Sequence, residues 1–527
     1  MSETTAVQET VAAVEEAVES AVAKVQFFGV QMTEKTAGMI IGILGLLTIV
    51  AIVITLFKSK TQPAFAFIIW PTILGIVLLI SGRYTLDNLA EMIKTGFGST
   101  GPTAALFVFS VLYFGIMTDA GMFDVIINKL MKLVGDSVIG VCIMTAVIAL
   151  IGHLDGGGAS TFCIVVPAML PVYKRMHMRK TTLLRIAVLA MGVLNLMPWA
   201  GPTMRAATVA MEGDANALWM KLLPIQIFGI VLALAHAVFA GFQEKKRGAG
   251  LHGKLAQTEG EISFEVAEEK SSNASDLARP KLFWFNVILT VGVIFLLIWG
   301  DSFDIPTYYP FMLGTAIALL VNYGLSAKMH KKIVNLHAGP ALMMCSTLMG
   351  AAVLMGILTT TFKTVVGDDG KLVMEVMKSK EVMKYLQNDP EVVEKIVHYT
   401  PSVVSCLANI VASVLPKFLG QNLPLVIGFL SVPLALAFDT DSYFYGMLPV
   451  MIAIGQSFGV DSVPIAIAMV VCRNCATFIS PMVPATLLGT GLAEVDIKDH
   501  IKSSFLYVWV FSILCMIAGV IFGLIPL

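Results

Sequence analysis

Apolar residues along this chain come in runs of about twenty, separated by short clusters of charge, glycine and proline, from end to end. A helix rises about 1.5 Å per residue, so a run of about twenty crosses the ~30 Å hydrocarbon layer of a bilayer. The pattern predicts ten spans: 37–57, 64–82, 98–118, 182–211, 219–241, 283–300, 306–326, 333–358, 461–494 and 503–526. Two further apolar stretches, about 137–174 and about 402–457, are interrupted midway by glycine and polar residues. Each reads as a re-entrant hairpin of two half-helices. The expected fold class is an all-α polytopic membrane protein.

Lysine and arginine set the orientation, because positive charge gathers in cytoplasmic segments. By alternation "YKRMHMRKTTLLR" (173–185), "KKR" (245–247) and "KMHKK" (328–332) fall on one side, taken as the cytoplasm. "EGDAN" (212–216) and "DSFD" (301–304) fall on the other, and both termini then lie outside. Residues 1–36 hold six glutamates against two lysines, with valines at helical spacing. They lack the basic start of a secretory signal and read as an acidic amphipathic tail. Residues 242–281 carry seven basic and seven acidic residues and read as a cytoplasmic linker; 360–401 reads as an external insertion.

The linker separates two halves, 37–241 and 282–527, each with five spans and one hairpin. An odd number of spans turns the second half upside down. "YFGIMTD" (113–119) is similar to "LMGILTT" (354–360), and "NLMPWAGPT" (195–203) to "TFISPMVPAT" (477–486), as an internal duplication requires. Inverted repeats with interrupted helices near the midplane are the signature of a secondary transporter.

Composition agrees: 57% of residues are hydrophobic and 13% charged, against roughly 25% charged in soluble domains. A net charge of −1 with no basic block gives nucleic acid no footing. Seven scattered cysteines imply no disulfide framework. No H-E-x-x-H or G-x-S-x-G motif is present, so an enzyme is not expected.

Four interruptions hold the candidate chemistry: "HLDGGGAS" (153–160), "NLMPWAGPTMR" (195–205), "FDTDSYF" (438–444) and "SPMVPAT" (480–486). Irregular backbone at membrane depth survives only where it is buried in protein or lines a wet cavity. Freed carbonyls attract cations there, and amides at half-helix N termini attract anions. The candidate substrate ligands are Gly156, Gly157, Gly158, Ser160 and Thr161 in the first break, and Asn195, Pro198, Gly201, Pro202, Thr203 and Arg205 in the second. Thr440 and Ser442 stand in the third, and Ser480, Pro481, Pro484 and Thr486 in the fourth.

The candidate metal or proton ligands are His153, Asp155, Asp439 and Asp441. An aspartate at a helix centre costs roughly 2.5–3.5 kcal/mol, which argues against decoration. If the two halves close on each other, Asp155 faces the other two. Carboxylate, carbonyl and hydroxyl oxygens suit Mg²⁺ or Ca²⁺, and a partly buried carboxylate also titrates as a proton carrier. Each residue has a plainer reading too. His153 serves as a structural hydrogen-bond partner, Arg205 and Arg473 pair with aspartates instead of substrate, and Trp199 is packing. The aspartates then cap helices at the water boundary, and "CRNC" (472–475) is a coincidence of helix packing.

The stretches "HLDGGGASTF", "VPAMLPVYKRM", "NLMPWAGPTMRAA", "FDTDSYFYGMLPV", "SPMVPATLLGTGLAEVDIKDH" and "YFGIMTDAGMFD" closely resemble the citrate–metal:proton symporters of bacteria. These belong to a larger superfamily of ion transporters that carry carboxylates. The resemblance runs from about residue 37 to the C terminus and leaves 1–36 and 360–401 unmatched. It implies import of citrate as a complex with a divalent metal, coupled to protons, with no permanently bound cofactor. It also implies a homodimer in the bacterial cytoplasmic membrane whose transport domains slide past a fixed scaffold, an elevator mechanism. The scaffold would be the first three spans and the last span of each half. One departure stands out: the family's first motif is expected to read L-D-G-D-G, and Gly157 occupies the place of the second acid. A Na⁺- or H⁺-coupled carrier of a dicarboxylate, or of free tricarboxylate without metal, is the alternative.

Overall fold

The computed structural model describes residues 24–58, 62–131, 136–251, 277–366, 372–386, 389–393 and 395–526, and most of them are helical. The expectations for 1–23 and for 252–276 of the linker lie outside the described residues. The chain opens on an antiparallel pair, β1 (Lys24–Phe27) and β2 (Val30–Thr33). Phe28 and Gly29 join them with φ of 50° and 75°, the left-handed pair that a two-residue hairpin turn requires. Helices α1 (Glu34–Lys58), α2 (Pro63–Ile80), α3 (Leu86–Asp119) and α4 (Met122–Met131) follow.

Then come α5 (Val138–Gly152) and α6 (Gly158–Arg175), the arms of the first hairpin, and α7 (Lys180–Leu194) and α8 (Gly201–Ala210), two pieces of one broken run. α9 (Ala215–Arg247), α10 (Phe283–Trp299), α11 (Tyr309–Tyr323) and α12 (Ala327–Thr359) continue the chain. Strands β3 (Phe362–Val366), β4 (Leu372–Val376) and β5 (His398–Thr400) form an antiparallel sheet in the order β4–β3–β5, with α13 (Ser379–Leu386) and α14 (Pro390–Val393) between the last two. The remainder is α15 (Val403–Val414), α16 (Lys417–Gln421), α17 (Leu423–Ala437), α18 (Leu448–Ser457), α19 (Ser462–Thr477), α20 (Pro484–Leu492) and α21 (Ile497–Ile521).

Local chemistry sets these boundaries. Ser137, Asp214, Ser402 and Asp496 accept first-turn amides of α5, α9, α15 and α21. Proline occupies the first turn of α2, α8, α17, α18 and α20, where its missing N–H has no intrahelical partner to lose. Among the described residues, eight helices are long and apolar enough to cross a membrane.

Several expectations need correction. The fold is mostly helical but not all-α, because residues 24–33 and parts of 360–401 pair as strands. The expected tail 1–36 therefore ends in an ordered hairpin and the first residues of α1. The span expected at 98–118 begins at Leu86, and 306–326 yields only the 15 residues of α11. Residues 242–247 of the expected linker are the end of α9. The hairpin expected at 402–457 contains four α-helices and a π-helical segment, Ser442–Met447, and Pro416 cannot continue α15 and holds Leu415 extended. Its interruption follows α17, not the middle of one long pair.

The chain divides into two compact units. The first comprises the described residues up to Thr100, with Ser346–Gln421 and Tyr445–Ser462. Within it Phe28 N–H donates to Ser81 O at 2.9 Å, and Arg83 pairs with Glu34, so the β hairpin is tied to the α2–α3 connection. Here α3 and α12 cross at Gly96 and Gly356: a Cβ on either would collide with backbone of Ala352 or Met92. Small residues let membrane helices meet at backbone distance.

The second unit comprises Gly101–Cys345, Asn422–Phe444 and Val463–Leu527. The four interruptions lie in it. Gly192 of α7 leaves no room for a side chain against the backbone of Cys475, so the two broken runs cross in close contact. On its other elements, Asn286 of α10 and Asn322 of α11 exchange buried amide hydrogen bonds of 3.0 and 2.9 Å.

Candidate functional site

α5 ends at Gly152, and one tight turn, His153–Asp155, leads to Gly156 at φ 69°. That left-handed conformation reverses the chain; Gly157 is extended, and α6 starts at Gly158. Asp155 closes the tip on itself. Its Oδ1 accepts Gly157 N–H at 2.8 Å, and its Oδ2 accepts the Ser160 hydroxyl. Among the described residues no cation faces this carboxylate.

His153 is fully buried with both ring nitrogens engaged: Nδ1 lies 2.7 Å from Thr161 Oγ1 and Nε2 3.0 Å from Asn195 Oδ1. An amide oxygen only accepts, so Nε2 carries the proton. The plainer reading of His153 is the one the geometry supports, and its place among the expected metal ligands is corrected.

The tip is wedged between two other breaks. A Cβ on Gly156 would sit 3.5 Å from Ala200 Cα, at the start of α8. A Cβ on Gly158 would press on the Phe478 ring at 2.5 Å and on Ala485 Cβ, in the first turn of α20, at 3.1 Å. The N-terminal ends of α6, α8 and α20 thus meet at the first tip. Trp199 Nε1 donates to Leu154 O at 2.8 Å, and its ring packs on Phe114 and Phe311 with centroids 5.6 and 5.3 Å away. That makes Trp199 a packing residue.

Each break strands backbone carbonyls that have lost their helical donor. In three of them a threonine at the start of the next helix reaches back. Thr203 donates to Asn195 O at 3.0 Å and Thr486 to Thr477 O at 3.2 Å, while the Thr161 hydroxyl comes within 3.3 Å of Gly152 O with its proton directed to His153 Nδ1. The break after α17 uses arginine instead. Arg473, fully buried, donates from Nη2 to Phe438 O at 3.1 Å and lies 5.4 Å from the Tyr443 ring centroid. Arg205 Nε donates to Asp441 Oδ1 at 2.5 Å. Asp439 caps the same turn, accepting Asp441 N–H at 3.1 Å and Ser442 N–H at 3.3 Å.

The remaining candidates lie on the breaks in different ways. Pro198 and Pro202 are buried, and Thr440 is half-buried between the two aspartates. Ser442 Oγ is buried with no partner among the described residues. Ser480 Oγ accepts Met482 N–H at 3.2 Å; Pro481 is exposed, Pro484 begins α20 and Gly201 begins α8. Among the described residues no three His, Cys, Asp or Glu side chains stand together to hold a metal ion. His153, Asp155, Asp439 and Asp441 therefore do not form one shell: Asp441 is taken by Arg205, not by Asp155. Cys472 and Cys475 are buried thiols directed at the carbonyls of Ser512 and Leu189, so "CRNC" is helix packing.

Two residues were missed from sequence. Tyr443, hydrogen-bonded to Ser431 at 2.6 Å, supports Arg473, and Phe478 packs edge-on to His153 at 5.3 Å. Their signal was present: each is an aromatic directly beside a polar or proline break.

The family model described as "Citrate transporter" (CitMHS) matches residues 29–384. "Citrate transporter" of Bacillus subtilis (strain 168) is 30% identical over 485 residues, covering 92% of this chain and 99% of that one. "Mg(2+)/citrate complex secondary transporter" of the same organism is 29% identical over 485 residues, covering 91% and 99%. Among solved structures, the Alcanivorax borkumensis YdaH transporter is similar at a TM-score of 0.49 and 14% identity, over 85% of this chain and 90% of that one.

Proposed function

Because the chain belongs to the citrate transporter family, we propose that it imports citrate as a complex with a divalent metal, Mg²⁺ or Ca²⁺, in symport with protons. One observation carries the reading: the N-terminal ends of α6, α8 and α20 meet around the tip that holds Asp155. Helix N termini present partial positive charge and unpaired amides, which suit the carboxylates of citrate. A metal–citrate complex carries less charge than free citrate, so it loses less hydration energy on entering a buried site.

In this reading the metal is cargo and arrives with oxygen donors from citrate. A closed shell of protein ligands is then unnecessary, and Asp155 supplies one oxygen or takes the coupled proton. The printed name of the 29% identical relative, a Mg²⁺/citrate complex transporter, fits this. Arg205 is held on Asp441, so it shapes the second tip in place of meeting substrate directly. The transport cycle is alternating access in a homodimer, with a two-hairpin domain sliding past a scaffold built from inverted repeats 37–241 and 282–527. Both termini lie outside a bacterial cytoplasmic membrane, and the basic segments 173–185 and 245–247 face the cytoplasm.

Gly157 in place of a second acid favours the rival reading, a proton- or sodium-coupled carrier of a free carboxylate. Uptake of labelled citrate into proteoliposomes under an inward proton gradient separates the two. The proposal expects uptake that requires Mg²⁺ or Ca²⁺, stops with chelator and collapses when the gradient is dissipated. Uptake indifferent to chelator transfers the assignment to the rival.

A further inference from the structure

Where the start of α7 and the end of α9 meet Tyr507 of α21, away from the four breaks, a cleft of ≈ 590 Å³ is lined by Arg179, Arg185, Lys246 and Arg247 together with Gln243 and aromatic rings. Among the described residues that line it there is no acid, and behind them Glu244 is fully buried and bound by Arg179 at 2.6 Å, Arg247 at 2.9 Å and the Thr182 hydroxyl at 2.6 Å. Four cations against one acid leave the cleft positive. Arg185 is the informative member. It is 5% exposed, stacks 4.0 Å over the Tyr507 ring and donates to Gln243 Oε1 at 3.0 Å, yet its Nε is buried with no partner among the described residues. An unsatisfied charged donor of that kind costs free energy unless a ligand accepts from it.

A second cleft, ≈ 420 Å³ and almost wholly apolar, shares Phe239 and Tyr507 with the first and runs between α9 and α21 past Leu232, Ala235, Leu506 and Val510. Leu506 and Val510 are 63% and 48% exposed. A cationic pocket continuous with an apolar groove on membrane-spanning helices matches a molecule with an anionic head and a hydrocarbon tail. We propose that this is a binding site for an anionic phospholipid: the phosphate meets Arg185, Lys246 and Arg247, and one acyl chain lies between α9 and α21. Free phosphate would use the basic half and leave the groove without a role. A zwitterionic lipid would set its own cation against the arginines. The site is also at the basic end that the proposed orientation puts on the cytoplasmic leaflet, where anionic lipid is enriched.

The test is native mass spectrometry on the full-length protein in detergent, titrated with dioleoyl phosphatidylglycerol or dioleoyl phosphatidylcholine. It reads lipid retention, not transport, so it stands apart from the citrate assignment. Phosphatidylglycerol is expected to be retained at least about tenfold better than phosphatidylcholine. Lys246→Ala should weaken it about fivefold, the ~1 kcal/mol of one cation beside an anionic headgroup. Ala235→Trp, which fills the groove and touches no cation, should weaken it comparably, and millimolar inorganic phosphate should not displace it. Equal retention of the two lipids, or both variants behaving as the parent, overturns the site. Displacement by phosphate with Ala235→Trp unaffected overturns the lipid and leaves a plain anion site.

Discussion

The tips at 153–158 and 438–442 face the same physical difficulty, broken backbone and a carboxylate in a buried setting, and they meet it with opposite chemistry. The first is closed by neutral groups: threonine, serine, an imidazole and an amide, with Asp155 held by one backbone N–H and one hydroxyl. The second is closed by charge, with Arg205 on Asp441 and Arg473 on the Phe438 carbonyl. An aspartate already matched by a guanidinium is a fixed structural pair. One held only by neutral donors keeps the freedom to bind a cation or a proton. Three aspartates that look alike in sequence thus separate into one candidate for chemistry, one ion-pair partner and one helix cap.

The largest effects should follow that division. Asp155→Asn keeps one oxygen for Gly157 N–H and turns the other contact round, its amide donating to Ser160 Oγ while that hydroxyl donates to Gly157 O, so it should fold normally, with a stability change under about 1 kcal/mol, while coupled citrate uptake falls to background. Asp441→Asn removes the carboxylate from buried Arg205 and should cost about 3–5 kcal/mol, seen as a lower melting temperature. The double variant Arg205→Gln with Asp441→Asn should recover much of that loss, because no buried charge then remains at the pair. If Asp155→Asn melts early and Asp441→Asn does not, the two tips have been assigned the wrong way round.

Gly157→Asp sharpens the same comparison by adding charge to the neutral tip. A Cβ there would press on Ser160 Oγ and lie 3.0 Å from Asp155 Oδ2, so Ser160 must leave Asp155. The lost hydrogen bond should cost about 1 kcal/mol. With two carboxylates at the tip, uptake should reach half-saturation at several-fold lower Mg²⁺. An unchanged metal dependence would detach this tip from the metal.

The positions of the breaks were legible because glycine, proline and aspartate inside apolar runs have few explanations. The first hairpin, read at about 137–174, folds as Val138–Arg175. The second was misjudged because α15 is an apolar helix like those of the hairpin it precedes, and a Leu-Pro step does not announce which side of it the hairpin starts. Which aspartate Arg205 meets was the part the sequence could not supply. That Arg205 reaches Asp441, 236 residues away, depends on how α8 and α17 are folded back together, which no spacing encodes. The threonine bonds across the breaks were hidden for a milder reason: threonine near a helix start reads as a local cap, and the acceptor lies beyond the break. Thr486→Val tests that reading. It should cost about 1 kcal/mol through the stranded Thr477 carbonyl, read as a lower melting temperature.

The smallest effect belongs to the far end of the first hairpin, where Glu494, after α20, joins Lys174 at the end of α6 and Lys180 at the start of α7 at 2.9 and 2.6 Å. Hydrogen bonds from Lys180 and Lys174 hold the Glu494 carboxyl down from the usual 4.5 to about 2. A depressed carboxyl pKa stabilises the folded state above the unfolded value, and that contribution disappears as pH falls through the folded one. Between pH 7 and 5 the bracket should therefore be constant, and it should vanish between about pH 4.5 and pH 2. The side chain is 55% exposed, so solvent and salt screen it and the contribution stays under about 1 kcal/mol. Glu494→Gln should lower the melting temperature slightly and equally at pH 7 and pH 5, less in high salt, and not at all near pH 2. A difference that grows on acidification instead would mean that Glu494 is held by something other than the two lysines.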